Sequence, residues 1–142
     1  MTLSATGMRR LEALELLAIS EPLLQVALPF RVESRANNHE SNHWGARAKT
    51  SKAQRQGSRL ALSSHRVHLQ RLLSVGGLVV RVVRIGPTAL DSHDNLGMAL
   101  KAITDGVADL LDVDDRDDSV TFVPDAEFGA WGARVEFYEA GS

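Results

Sequence analysis

The chain has no cysteine among its 142 residues. This absence excludes a disulfide framework, a thiolate zinc site and a cysteine nucleophile. Long apolar runs are also missing, because the longest apolar stretches fall far short of the ~20 residues that cross a bilayer. Arg9 and Arg10 precede an apolar segment, but Glu12 and Glu15 interrupt it and no cleavage site follows. We therefore expect no membrane span and no signal peptide, and any metal must be held by oxygen or imidazole ligands.

Charge is distributed unevenly along the chain, although the formal net charge is only -2. Residues 31–84 carry eleven Lys and Arg against two acids, a net +9, whereas residues 85–142 carry three cations against thirteen acids, a net -10. A basic region suits phosphate backbones, and a tight acidic cluster suits a hard divalent cation. The alternative is a solvated surface whose charge is merely uneven.

Hydrophobic periodicity and turn residues predict the element order α-β-α-β-α-β-β. The predicted helices cover residues 8–19, 45–73 and 94–111, and the predicted strands cover residues 23–32, 78–85, 119–123 and 130–138. Pro29 places the first strand at a sheet edge or near its own end. Gly57 argues against one continuous second helix, and Gly76 with Gly77 ends that helix.

This order indicates one α+β domain, a size that agrees with roughly 100–200 residues per domain. We expect a small mixed sheet packed against two main helices. Residues 1–22 are expected to form an added amphipathic helix, and residues 23–142 the main domain. A turn around Asp125 and Gly129 is expected to join the last two strands.

Carboxylates concentrate in three places: Asp91 with Asp94 at the start of the predicted helix 94–111, the face of that helix, and the acidic run at residues 112–118. Mg²⁺ favours oxygen ligands and keeps several waters, so two short aspartate clusters from separate elements can hold it. The alternatives are a helix N-cap for Asp94 and a solvated loop for the later run. An EF-hand is a poorer fit, because Asp117 stands where a glycine is required and Val123 where an acid is required.

One lysine lies close to these acids. Lys101 follows Asp94 by two helical turns and Asp105 follows Lys101 by one, so the three share the polar side of the predicted helix. A surface ion pair is the ordinary interpretation of Lys101, and charge stabilisation on a scissile phosphate is the functional one. His93 can be a metal ligand or an acid in the same turn.

Three stretches carry a resemblance to a known family: LDSHDNL at residues 90–96, KAITDGV at 101–107 and DDRDDSV at 114–120. With LPF at 28–30 and two asparagines at 37–38, they resemble the RusA family of Holliday junction resolvases over about residues 26–138. The resemblance implies a RusA-like nuclease fold and a homodimeric endodeoxyribonuclease that cuts four-way DNA junctions in recombination and repair. It also implies Mg²⁺, with Mn²⁺ as an alternative, no small-molecule cofactor, and the cytoplasm of a bacterium or of a phage-infected host.

Catalytic roles are carried over by position. The resemblance implies that Asp91, Asp94 and one further aspartate hold the metal, and that Lys101 assists. Counting back from the following strand makes Asp117 the third aspartate, whereas counting forward from the helix favours Asp115.

Two spacings differ from the family's pattern. Asp91 and Asp94 are three residues apart instead of two, and Lys101 follows Asp94 by seven residues instead of four. The extra residue can bring His93 into the metal shell or displace Asp91 from it.

The basic stretch at residues 47–71 is expected to hold the DNA arms mostly through phosphates, so that shape governs affinity more than sequence. The residues predicted to bind DNA are Arg47, Lys49, Lys52, Arg55 and Arg59. Two other functions stay open: a catalytically weak protein that binds DNA junctions, and a phage protein-interaction module that keeps the same fold.

Overall fold

The computed structural model describes residues 5–33, 44–88, 93–114 and 117–140. In chain order the elements are α1 (Ala5–Ile19), β1 (Leu24–Leu28), α2 (Trp44–Ala61), a 3₁₀ turn (Ser63–His65), α3 (Arg66–Gly76), β2 (Leu78–Gly86), α4 (His93–Ala99), α5 (Lys101–Leu111), β3 (Val120–Phe128) and β4 (Gly132–Glu139). Within these segments, none of the helices combines the length and apolar character that a bilayer crossing requires.

The strands form one mixed sheet in the order β1-β4-β2-β3. β4 runs antiparallel to both of its neighbours, and β2 pairs in parallel with β3, Leu78 lying opposite Val120. A parallel pair needs a crossover connection, and here α4 and α5 provide it. The mixed α+β architecture expected from the sequence is confirmed.

One face of the sheet carries the main core. Val80, Val82 and Phe137 point toward α2, α3, α4 and α5, and all three are at most 1% exposed. α5 supplies Ile103 and Val107, which are fully buried against them. These positions follow the period of two in the strands and the 3.6-residue period in α5.

The N-terminal helix α1 covers part of the opposite face. Ala13 is 2% exposed and belongs to a second cluster with Val79, Val123 and Tyr138. α1 therefore packs on the sheet that residues 23–142 form.

Both long predicted helices are interrupted. The second predicted helix breaks at the 3₁₀ turn Ser63–His65, which begins six residues after Gly57, the expected weak point. Gly57 itself lies inside α2, where the Phe30 ring occupies the space that a Cβ would fill. The predicted helix 94–111 divides at Leu100, whose φ of -93° and ψ of -1° leave the ideal helical region. Leu100 is 1% exposed, so the apolar stripe continues across the interruption and both short helices face the same core.

Several strand boundaries also differ from expectation. β1 ends at Leu28, before Pro29, and lies at the sheet edge as predicted. β3 continues to Phe128 through Asp125, so the turn starts at Gly129. β3 and β4 do not pair with each other, because β2 lies between them.

The close approach of α2 and α5 depends on Gly106. A Cβ there would collide with the carbonyl oxygen of Arg55 and lie 3.0 Å from Cβ of Ser58, which is fully buried. We expect Gly106→Ala to lower the free energy of unfolding by about 2 kcal/mol, because overpacking against backbone outweighs the better helix propensity of alanine.

Gly97→Ala is the matched control, since Gly97 is also helical and has no atom within 4 Å of its added Cβ. This substitution should raise the free energy of unfolding by up to ~1 kcal/mol. Urea denaturation of the two variants measures both effects. Equal changes in the two variants would contradict the helix contact described here.

Candidate metal centre and nucleic-acid interface

The two acidic segments lie at the two ends of the crossover from β2 to β3. The chain leaves β2 at Gly86, enters α4 at His93, and returns through α5 to β3. α4 contacts β3 directly. The helix that carries Asp94 therefore contacts β3, the strand that Asp117 precedes by three residues. The parallel register places Val120 beside Leu78 and Phe128 beside Gly86, so the two acidic segments adjoin opposite ends of the β2–β3 pair.

Several predicted ligands fall outside the described side chains. Asp91 and Asp115 lie outside the described residues, and for His93 and Asp94 the structure describes only the backbone. α4 begins at His93, so Asp94 lies in the first helical turn and not at the N-cap position that the alternative interpretation gave it. Among the described side chains, no three carboxylate or imidazole groups converge as a metal-binding cluster.

Asp117 is the predicted ligand whose carboxylate can be located. Its Oδ1 accepts hydrogen bonds from the Ser119 hydroxyl at 2.5 Å and from the Ser119 backbone N–H at 2.9 Å. These bonds, the hydroxyl first, lower the pKa of Asp117 below its ordinary value. This turn could have been predicted from the sequence, because an aspartate carboxylate commonly accepts a hydrogen bond from the backbone N–H two residues later. The carboxylate is thus held and ionised, and Oδ2 takes no part in either bond.

Lys101 opens α5 and is largely exposed. Its Nζ lies 3.5 Å from Oδ1 of Asp105 one turn later, and the two side chains are 61% and 24% exposed. This contact is the surface ion pair that the ordinary interpretation expects. An exposed pair of this kind contributes little to stability, so the ammonium is not tightly held.

The predicted DNA-binding residues lie on α2. Lys49, Lys52, Arg55 and Arg59 are exposed and recur every three or four residues, which places them on one stripe of the helix. Arg47 belongs to the same helix, but its side chain is not among those described.

Arg55 differs from its neighbours on this stripe. Its Nε and Nη2 donate to the two carboxylate oxygens of Asp109 at 2.6 and 2.9 Å, which ties α2 to α5. This bidentate pair lowers the pKa of Asp109, chiefly through the Arg55 hydrogen bond. Asp109 therefore already neutralises much of the Arg55 charge that was expected to bind phosphate.

Arg81 lies on the sheet face against which α1 packs, and acidic side chains neutralise its charge as well. Its guanidinium contacts Asp125 at 2.7 Å and Glu136 at 3.1 Å, and Arg134 contacts Glu136 at 2.6 Å. Burial raises the pKa of Glu136, but hydrogen bonds from Tyr138, Arg134 and Arg81 outweigh it and leave the pKa below its ordinary value. The basic and acidic halves of the sequence are thus partly neutralised against each other in the fold.

The packing of α1 brings further acids near the Asp117 turn. Glu12 and Glu15 line an open cavity of about 490 Å³ together with Asp118 and Ser119. The sequence gave no indication of this proximity, because it depends on where α1 lies on the sheet. Negative charge around the turn is therefore denser than the acidic run alone indicates.

No protein-family model matches this chain, and no curated protein matches it.

Proposed function

We propose that this chain is a metal-dependent endodeoxyribonuclease that hydrolyses phosphodiester bonds in branched DNA, the four-way junction above all, as a homodimer. The crossover from β2 to β3 carries the proposal. Its ends hold the two acidic segments of the resemblance, and for both to reach one metal, α4, which contacts β3, must carry Asp94 back toward the start of that strand. A dimer is part of the proposal because symmetric cutting needs two sites related by a dyad.

The donor set fits a hard cation. Asp91, Asp94 and Asp117 would hold Mg²⁺ or Mn²⁺, with Asp115 and His93 as alternative ligands, and carboxylate oxygens are what these ions prefer. The hydrogen bonds from Ser119 hold the Asp117 carboxylate through Oδ1, and Oδ2 takes no part in either bond, which supports this fit. When bound, the metal supplies activation of water and stabilisation of charge on the leaving oxygen.

In the proposed reaction a water oxygen forms a bond to phosphorus and one ester P–O bond breaks, leaving a phosphate monoester and a hydroxyl end. Lys101 would offset the negative charge that develops on the phosphoryl oxygens. Its weak contact with Asp105 and its exposure support this role, since the ammonium can turn toward a phosphate at little cost.

A protein that binds junctions without cutting them is the second candidate. One observation favours it: Asp117 and Lys101 both have ordinary local partners, Ser119 and Asp105. These contacts alone would account for the presence of both residues in a protein that binds no metal.

A divalent-ion titration on a synthetic four-way junction tests the proposal. Wild-type protein is incubated with the junction and with a linear duplex of the same sequence, and binding and strand cleavage are followed on separate gels. Cleavage that rises with Mg²⁺ supports the nuclease. Binding without cleavage supports the second candidate, and neither binding nor cleavage contradicts both.

The ion pairs predict which cations contribute to the salt dependence of DNA binding. Lys52→Gln should reduce the slope of log affinity against log salt by about 1, the value for one phosphate contact. Removing the whole ion pair with Arg55→Gln and Asp109→Asn should leave the slope unchanged, because the pair is already neutral. Fluorescence anisotropy across a salt series measures both slopes. A loss of about 1 in the double variant would show that Arg55 contacts phosphate.

A further inference from the structure

β1 is an edge strand, and its outer side is unprotected. β4 pairs with one side of β1, and no strand of the described residues pairs with the other. The strand sequence LQVAL contains neither a charged residue nor a proline, and Leu23 directly before it is 52% exposed. Proteins usually protect an edge with charge, proline or a bulge, because its outward N–H and C=O groups pair readily with another strand. β1 is therefore able to accept a further strand.

The opposite edge of the sheet, β3, is protected. The Leu78 N–H donates to the Ser119 carbonyl oxygen, and from there the parallel ladder turns the backbone of every second residue, including Pro124 and Ala126, away from β2. Proline has no N–H to donate, and the Ala126 N–H already donates to Oδ1 of Asp125 at 2.8 Å. α1 and α4 also contact β3. Of the two edges in the described sheet, β1 is the one suited to strand pairing.

The main core extends to β1 but is not closed over there. Leu24 and Val26 pack against the core and remain half-buried, whereas Leu28 is 3% exposed. Gln25 and Ala27 lie on the other face of the strand and are exposed. A second strand beside β1 would cover apolar surface that Leu24 and Val26 leave in contact with water.

The sequence around β1 is complementary to itself when two copies run antiparallel. With a two-fold axis at Val26, Leu24 of one copy lies opposite Leu28 of the second copy, so apolar side chains meet on the core face. The same count places Glu21 opposite Arg31 of the second copy at both ends of the pairing. Both side chains are exposed. Unlike charges therefore flank an uncharged centre, and like charges directly opposite each other, which destabilise strand pairs, are avoided.

We propose that β1 is the dimer interface of this protein, in which β1 of each copy pairs antiparallel with the other about a two-fold axis at Val26. This pairing joins the two sheets into one. One open edge and one protected edge lead to a closed dimer and not to a filament, because the contact uses the same surface of both copies. The interface goes beyond the proposed function, which requires a dyad but assigns no surface to it.

Introduced cysteines test the pairing without background, because the chain has no cysteine of its own. In the double variant Gln25→Cys/Ala27→Cys, each cysteine lies opposite the other type in the second copy. Directly opposed residues have Cβ atoms about 4.5–5.5 Å apart, which a disulfide spans with little movement. The double variant should therefore form a covalent dimer on a non-reducing gel after mild oxidation.

The two single variants are the controls for register. With the axis at Val26, Gln25→Cys or Ala27→Cys alone places its two cysteines diagonally, about 7–8 Å apart, and should give no covalent dimer. Cross-linking of a single variant, or no cross-linking of the double variant, would contradict the proposed axis.

Sedimentation velocity of the protein without DNA tests the interface in a second way. Wild type should be a dimer, and Gln25→Lys/Ala27→Lys should raise its dissociation constant by roughly tenfold or more, because lysines then lie opposite lysines. Both positions are exposed, so each monomer keeps its fold. Ala126→Lys, at an exposed alanine of the protected edge, should associate as wild type does.

A monomeric wild type, or a dimer that the two lysines at positions 25 and 27 do not weaken, would overturn the proposal. Neither sedimentation nor cross-linking uses cleavage. The interface can therefore fail in a protein that cuts junctions, and it can be upheld in one that does not.

Discussion

Asp94→Asn is expected to abolish Mg²⁺-dependent cleavage of a four-way junction and to leave junction affinity unchanged or higher. Asparagine keeps the volume of the side chain but removes the negative charge that a metal ligand provides. Loss of groups that merely support ligands costs about 10- to 100-fold, so loss of a ligand should exceed about 100-fold. Single-turnover cleavage and a binding gel on the same junction measure the two effects.

Asp112→Asn is the matched control for this change. Asp112 belongs to the acidic run and has a φ of 59°, a left-handed conformation that asparagine also tolerates. It should keep wild-type cleavage, because it removes the same charge without removing a proposed ligand. Wild-type cleavage by Asp94→Asn would refute the assignment, and a lowered thermal transition in that variant would indicate a structural role in the first turn of α4.

Asp117→Asn is expected to lose as much cleavage as Asp94→Asn, whereas Asp115→Asn should keep most of it. Asp117 is held by Ser119 one residue before β3, so its carboxylate is fixed by a turn that the sheet anchors. Ser119→Ala removes only the hydroxyl donor and should raise the Mg²⁺ midpoint by roughly tenfold, as expected for a group supporting a ligand.

Asp117→Asn, Asp115→Asn and Ser119→Ala together distinguish a metal ligand from a residue that serves only the local turn. If Asp117 serves only the turn, Asp117→Asn and Ser119→Ala will lower thermal stability without changing the Mg²⁺ midpoint. If Asp115→Asn is inactive and Asp117→Asn is nearly normal, the count forward from the helix is correct and Asp115 is the third aspartate.

The element boundaries that could be predicted from the sequence are those set by the backbone chemistry of single residues. Pro29 cannot donate a backbone hydrogen bond, so the edge position of β1 was predictable, although the predicted strand ran past Pro29 to residue 32. Gly77 has a φ of 86°, which fits its predicted place between helix and strand. The break at Leu100 has no local signal, since neither proline nor glycine stands there and the apolar stripe continues through it.

Charge pairing across the fold was not predictable from the uneven charge of the sequence. The contacts of Arg55 with Asp109 and of Arg81 with Asp125 join residues 54 and 44 positions apart. Their partners are decided by helix packing and strand order, which periodicity does not give. The period of two does show that Arg81 and Arg84 lie on opposite faces of one strand, and this was the available signal that one arginine enters the main core.

Mapping the incisions in a strand-labelled synthetic four-way junction tests the central claim most directly. The nuclease proposal predicts paired cuts at symmetric positions in two opposing strands, in Mg²⁺ but not in EDTA, and none in a linear duplex of the same sequence. Tight binding to the junction with no cut strand at any Mg²⁺ or Mn²⁺ concentration would contradict it.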